Sequence, residues 1–248
     1  SFNILLSGQL NAICNELYYV VIGKLFSAHH LGFFAKARQT RDIPISVMDG
    51  IVQRITFPAF SMIQDDTPRQ KRVLRKAIAN IAFVNFPIMI GLALVAQPTV
   101  TILLTEKWLD SVPLLQLFCF AGLMLPIMSA HGSIIISQGK SKIILHFSLI
   151  KNILRIVILS FTWRWGIEGI IWGEIAHSFL CYLLFLYWST KNIGYKLSEQ
   201  FTDTMPYLVA ASLMGALTFF AGTLLVDVSP IALLISQMAI GGFSYIII

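Results

Sequence analysis

The sequence predicts an all-α, polytopic transmembrane helix bundle of about eight spans, on three observations. Hydrophobic residues make up 56% of the 248 and charged residues only 12%, against roughly 25% charged in an ordinary soluble domain; mean hydropathy is +0.77. The apolar residues are gathered into runs of about 18 or more, enough for a helix to cross a hydrocarbon core of roughly 30 Å. The runs are continuously apolar, whereas membrane-barrel strands alternate over about ten residues.

Taken in order, the spans run over about 4–26, 31–63, 78–95, 112–137, 143–163, 167–188, 206–226 and 230–248, with a short amphipathic piece, Thr99 to Leu104, after the third. The first begins without a basic region and cleavage site and so reads as a span, not a signal peptide. The second is long and interrupted by charges and by Pro44, a residue that removes a backbone hydrogen bond and can kink a helix; a gate and ordinary packing are both open for it. The chain starts Ser1-Phe2-Asn3 and stops inside the apolar run Ile246-Ile247-Ile248, which reads as a portion of a longer chain. All of 1–248 is taken as one transmembrane domain.

Orientation follows from Lys and Arg in the connections. The loops after spans two, four and six hold Arg69, Lys71, Arg72, Arg75, Lys76, Lys140, Lys142, Lys191 and Lys196, and the alternate loops hold Lys24, Lys107 and Arg164. Nine against three puts the even-numbered connections in the cytoplasm. Trp108, Trp163, Trp165 and Trp188 fall at span ends, as interfacial aromatics do. The charge of +6 is therefore distributed as in a membrane protein and does not form a nucleic-acid surface. Cys14, Cys119 and Cys181 lie in separate apolar runs, with neither disulfide nor zinc spacing. The five histidines show no metal-ligand spacing and no phosphate loop occurs, so no metal, cofactor or nucleotide is expected.

The remaining bases are the informative ones. Lys36, Arg38, Arg41, Arg54, Lys151 and Arg155 all fall inside spans, where a charge costs about 2.5–3.5 kcal/mol on insertion scales unless paired or hydrated. At 100° per residue Arg38, Asp42 and Asp49 lie within about 40° of one another and Arg41 about 60° to the side, while Lys36 and Arg54 point the opposite way. Such a stripe lines a water-filled path, or it is a structural ion pair between the i, i+4 neighbours Arg38 and Asp42. Lys151 and Arg155 repeat the spacing on span five; they are a second cationic contact, or residues snorkelling to the cytoplasm. Gln9, Asn11, Asn15 and Glu16 form a polar cluster on span one, suited to the same path or to holding helices together. Glu174 is a further acid at membrane depth.

Gly32-Phe33-Phe34-Ala35-Lys36-Ala37-Arg38 and Phe57-Pro58-Ala59-Phe60-Ser61-Met62-Ile63-Gln64-Asp65-Asp66 resemble the polysaccharide transporter family, the O-antigen and colanic-acid exporter type within the multidrug/oligosaccharidyl-lipid/polysaccharide flippase superfamily. Glu106-Lys107-Trp108 and Gln138-Gly139-Lys140 are similar to loop motifs of that family. Phe33 and Phe34 stand where it commonly has tyrosine, and Lys36 where a small residue is usual. The resemblance covers essentially the whole chain as the C-terminal half of a two-lobed fold, here one lobe plus extra helices.

It implies a non-enzymatic, multi-pass protein of a bacterial inner membrane that flips an undecaprenyl-diphosphate-linked oligosaccharide by alternating access. The implied partners are the lipid-linked oligosaccharide, membrane lipids and other polysaccharide-assembly membrane proteins. On this reading Lys36, Arg38, Arg41, Arg54, Lys151, Arg155 and Asn15 contact substrate, and Glu16, Asp42 and Asp49 hold the cations or couple to an ion. A cation exporter of the same superfamily would need an acidic path, which the excess of bases opposes. A membrane polymerase would need a sizeable periplasmic loop, and the longest candidate, about 97–111, is modest.

Overall fold

In the computed structural model, which describes residues 2–224 and 230–247, each predicted span falls mainly on helix; the ends placed at 225–226 and 248 lie outside the described residues. The helices are α1 (Phe2–Leu25), α2 (Ala28–Ile51), α3 (Phe57–Ser61), α4 (Thr67–Leu94), α5 (Ala96–Leu104), α6 (Val112–Gly122), α7 (Leu125–Ser137), α8 (Ser141–Thr162), α9 (Gly166–Ile193), α10 (Leu197–Leu224) and α11 (Pro230–Ile247), with no strand among the described residues. The protein is an all-α membrane bundle.

Start signals in the sequence are used as capping chemistry requires. The Ser27 hydroxyl accepts from the His30 N–H ahead of α2, and Asp66 Oδ1 accepts from the Arg69 N–H at 2.9 Å ahead of α4, each satisfying an orphan donor of the first turn.

Two predicted spans are broken, and proline explains both. α2 runs straight through Pro44, and the irregularity falls later, as a π-helical turn over Val52–Thr56 leading into α3. Pro58 lacks an N–H and its ring would press on the carbonyl four residues back, at Arg54, so the helix widens there. Residues 112–137 are two helices because Pro126 does the same to Gly122. The carbonyls freed at that break are satisfied by Asn85 on α4, which is fully buried and donates through Nδ2 to Gly122 O at 3.3 Å and Leu123 O at 3.0 Å.

Four helical stretches are long and apolar enough to cross a membrane: Thr67–Leu94, Glu106–Ser137, Ser141–Ile193 and Leu197–Thr223. The third holds α8 and α9, joined by a tight turn at Trp163–Trp165. The bundle pairs α1 with α8 and α2, α2 with α6, α9 with α8 and α6, and α4 with α10, which also carries α11. Ile153, Val157, Phe161, Phe219 and Phe220 stay exposed, as outward apolar residues of a membrane-spanning bundle do. Between α1 and α8, Asn152 donates to Asn11 Oδ1 at 3.1 Å and Asn3 to Ser141 at 3.3 Å, so part of the polar cluster on the first span serves as contact between helices.

The connections sort into two ends. At one, Arg75 grips Asp203 bidentately at 2.8 and 2.7 Å, Lys71 meets Glu199 at 2.8 Å, Tyr195 donates to Asp203 at 2.8 Å and Gln138 donates to Gln70 at 2.7 Å. At the other end a recess of about 470 Å³ gathers Phe26, His29, Asp110, Trp165 and Glu168 from the three alternate connections. The nine-to-three bias in Lys and Arg predicts that the Arg75 end is cytoplasmic. A cysteine placed at Thr67 is expected to resist a membrane-impermeant thiol reagent in intact cells and to react after the membrane is opened; efficient labelling from outside would invert the topology.

Candidate functional site

Two arginines one turn apart on α2 turn inward. Arg38 is 8% exposed and Arg41 1%, and both point at Glu174 of α9, itself 7% exposed. Arg41 Nη2 donates to Glu174 Oε1 at 3.3 Å, and Arg38 Nη2 lies 3.8 Å from the same oxygen. Arg41 Nε is 2.7 Å from Asp42 Oδ1, at the exposed edge of the helix. The i, i+4 partnership expected between Arg38 and Asp42 is thus replaced by one between neighbours, with Arg38 assigned to Glu174. The physical reason is burial: a carboxylate enclosed in protein is far more costly to leave unpaired than one half in the open.

Aromatic rings complete the enclosure. The Arg38 guanidinium sits 5.4 Å from the Tyr18 ring and 5.8 Å from Tyr19, Arg41 sits 5.2 Å from Phe118, and Arg155 of α8 approaches Tyr18 from its own side at 5.9 Å. Tyr18 therefore ties Arg155 to the α2 arginines. Lys151 lies one turn earlier on α8, with Nζ 5.9 Å from the Phe185 ring. Its carbonyl accepts from His177 Nε2 at 3.0 Å. The close approach of α6 depends on Gly122, where a Cβ would meet the Met89 sulfur at 2.6 Å and Arg41 Cδ at 3.3 Å.

The cluster holds four cations, Arg38, Arg41, Lys151 and Arg155, against two carboxylates, Asp42 and Glu174. Its donors are not used up. Arg38 Nη1, Arg41 Nη1, and Nε and Nη1 of Arg155 are buried and make no hydrogen bond to a described residue, and neither does Glu174 Oε2. A buried guanidinium with free N–H groups is a binding position for oxyanions, because planar forks match carboxylate and phosphate oxygens.

The other predicted residues are spread out. Asn15 touches the cluster, its Oδ1 3.5 Å from Arg38 Nη2. Lys36 is half-buried and donates to Gln39 at 3.3 Å, with Nζ 5.9 Å from the Trp108 ring. Arg54, in the π-helical turn, and Glu16, on α1, are exposed, and Asp49 is half-buried along α2. Glu174 is the residue that pattern reading placed too low. Its signal was available, as an acid in an otherwise apolar stretch of the sixth span.

Comparison with known proteins adds the following. Residues 1–113 match the family described as "Polysaccharide biosynthesis protein". A Klebsiella pneumoniae protein called "Uncharacterized membrane protein in cps region" is 27% identical over 248 residues, 100% of this chain and 51% of that one. The teichuronic acid biosynthesis protein TuaB of Bacillus subtilis (strain 168) is 26% identical over 228 residues, 86% of this chain and 44% of the relative. The lipopolysaccharide biosynthesis protein WzxC of Escherichia coli (strain K12) is 29% identical over 147 residues, 59% and 30% respectively. The chain spans about half the length, or less, of these relatives. No solved structure matches it.

Proposed function

We propose that this chain, whose residues 1–113 match a family described as "Polysaccharide biosynthesis protein", is part of a flippase for an undecaprenyl-diphosphate-linked oligosaccharide in a bacterial inner membrane. The protein works without catalysis, and the diphosphate is the part of the cargo that hydrocarbon rejects most strongly. The observation that carries the reading is the excess of cations at Arg38, Arg41, Lys151 and Arg155, with guanidinium N–H groups left over after Glu174 and Asp42 are paired. A cation exporter would need the opposite sign there. Names of relatives that refer to lipopolysaccharide and teichuronic acid biosynthesis agree with a surface-polysaccharide cargo.

In the described conformation Arg41 is closed off, so engagement of the diphosphate belongs to a second conformation in which the helices around Glu174 part. Alternating access supplies one. Charge-assisted bonds from the freed guanidinium groups would then replace part of the lost hydration of the diphosphate.

The test is saccharide export in a flippase-deficient strain, normalised to membrane protein level, for Arg38, Arg41, Lys151 and Arg155 each changed to Gln. Loss of one charge-assisted bond of about 1.5–3 kcal/mol corresponds to a fall of about tenfold or more per folded molecule. Arg41→Lys is expected to keep the charge, lose the fork geometry and fall between. Wild-type export per folded molecule in all four Gln variants would leave these charges as internal bracing.

A further inference from the structure

The outward side of α2 carries a second pattern that shares only Asp42 with the cation cluster. Gln39, Asp42, Ser46 and Gln53 are exposed and Asp49 is half-buried, at intervals of three, four, three and four residues. At 100° per residue these five fall within about 80° of one another. Immediately beside them Ile43 and Val47, each 60% exposed, and Ile51 at 47% form an apolar strip. The exposed half of α2 is therefore divided lengthwise into a polar seam and a greasy one. From Gln39 to Gln53 the polar seam extends about 21 Å at 1.5 Å per residue, most of the depth of a hydrocarbon core of roughly 30 Å.

Polar side chains at that depth do not face lipid, and the apolar strip does. The chemistry of the seam differs from that of the buried cluster. It offers two carboxylates, two amides and a hydroxyl. Its cationic contacts are Arg41 on Asp42 and Lys36 on Gln39, both at one end. Gln53 extends it onto a second helix by donating to Ser129 and Ser133 of α7 at 3.3 and 3.2 Å. Gly50 of α2 and Gly132 of α7 both look into open space, with nothing within 4 Å of a Cβ added at either. A run of acceptors and neutral donors with few outward cations repels a diphosphate and suits the hydroxyls of a saccharide, which both donate and accept.

We propose that the polar seam Gln39, Asp42, Ser46, Asp49 and Gln53 is the track along which the saccharide of the lipid-linked cargo passes, separate from the cations that engage its diphosphate. This rests on the flippase reading given above. It divides the substrate between two parts of one helix, the inward arginines for the headgroup and the outward seam for the sugars.

The test uses the complete protein in proteoliposomes with two cargo lipids, undecaprenyl diphosphate carrying one sugar and the same lipid carrying a full oligosaccharide. The combined variant Gln39→Ala, Ser46→Ala, Gln53→Ala is expected to lower flipping of the oligosaccharide lipid about tenfold, the scale of several lost neutral hydrogen bonds, and to lower flipping of the single-sugar lipid by a smaller factor, since it presents fewer hydroxyls. Arg41→Gln is expected to lower both. Equal losses with the two lipids in the triple variant, or no loss with either, would overturn the track and leave the diphosphate reading standing. Wild-type protein that moves neither lipid would overturn both.

A second measurement does not depend on turnover. Ser46→Cys is expected to react with a membrane-impermeant thiol reagent and to be protected by the oligosaccharide lipid, while Val47→Cys, one residue away on the apolar strip, stays unreacted. A silent Ser46→Cys would mean that protein packs on the seam, and the proposal would fall.

Discussion

Glu174→Ala is expected to be among the most damaging single changes in the protein, lowering its stability in detergent by about 3–5 kcal/mol, the usual cost of removing one partner of a buried ion pair. Glu174 is the acceptor for Arg41 and, among the described residues, the carboxylate paired with Arg38, and its loss leaves the Arg38 guanidinium enclosed with Asn15 as a distant acceptor. Arg41 keeps Asp42 and is less affected. Glu174→Gln retains the shape and one acceptor and is expected to lie between.

The informative companion is the apolar replacement of the whole group, Arg38→Met, Arg41→Met and Glu174→Leu together. Replacing a buried ionic triad by packed hydrophobic residues is often neutral or stabilising, so this variant is expected to recover the melting temperature lost by Glu174→Ala while exporting no saccharide. Thermal denaturation followed by size-exclusion chromatography reads the first quantity, and export per folded molecule reads the second. A Glu174→Ala protein that melts with the wild type would show that the pair contributes nothing to stability. A triple variant that melts with wild type and still exports would remove the cluster from the transport mechanism.

Gly173→Leu is expected to act by a different route with nearly equal force. A Cβ at this position of α9 would lie 2.9 Å from Ile158 Cγ2 and from both Cγ2 and Oγ1 of Thr162 on α8. These are β-branched side chains with little freedom to rotate away. The two helices must separate, at the cost of about 1–3 kcal/mol or more that overpacking brings. Because Gly173 precedes Glu174, the displacement also draws the carboxylate from its arginines. Lower melting temperature and lower export are therefore expected together. Gly242→Leu on α11 is the control, since nothing lies within 4 Å of a Cβ there. Wild-type stability in Gly173→Leu would show that α8 and α9 pack more loosely than these distances require.

Composition and the placement of apolar runs were sufficient to read the class of fold, because a bilayer dictates length and apolarity span by span. The caps at Ser27 and Asp66 are local chemistry, but the placement of apolar runs did not point to them. The breaks at Val52–Thr56 and at Leu123–Met124 have a local cause in Pro58 and Pro126, yet they were not anticipated. An apolar run conceals an interruption when a distant group such as Asn85 satisfies the freed carbonyls.

The candidate site divides in the same way. That Arg38, Arg41, Lys151 and Arg155 fall inside apolar helical segments and therefore need partners or water was legible in the sequence by itself, since an unpaired charge at membrane depth is costly. Which acid answers them was not. Helix periodicity relates residues within one helix and suggested Asp42 for Arg38, whereas Glu174 is 136 positions away from Arg38 and is brought to it by the packing of α9 against α6 and α8. Likewise, periodicity put Arg38 and Asp42 on one face, but only the neighbours of α2 determine that the arginines turn inward and the seam from Gln39 to Gln53 remains open. The sequence by itself determined the environment each charged residue must avoid; the tertiary structure decided its partner, because partnership depends on distances between helices that no single helix contains.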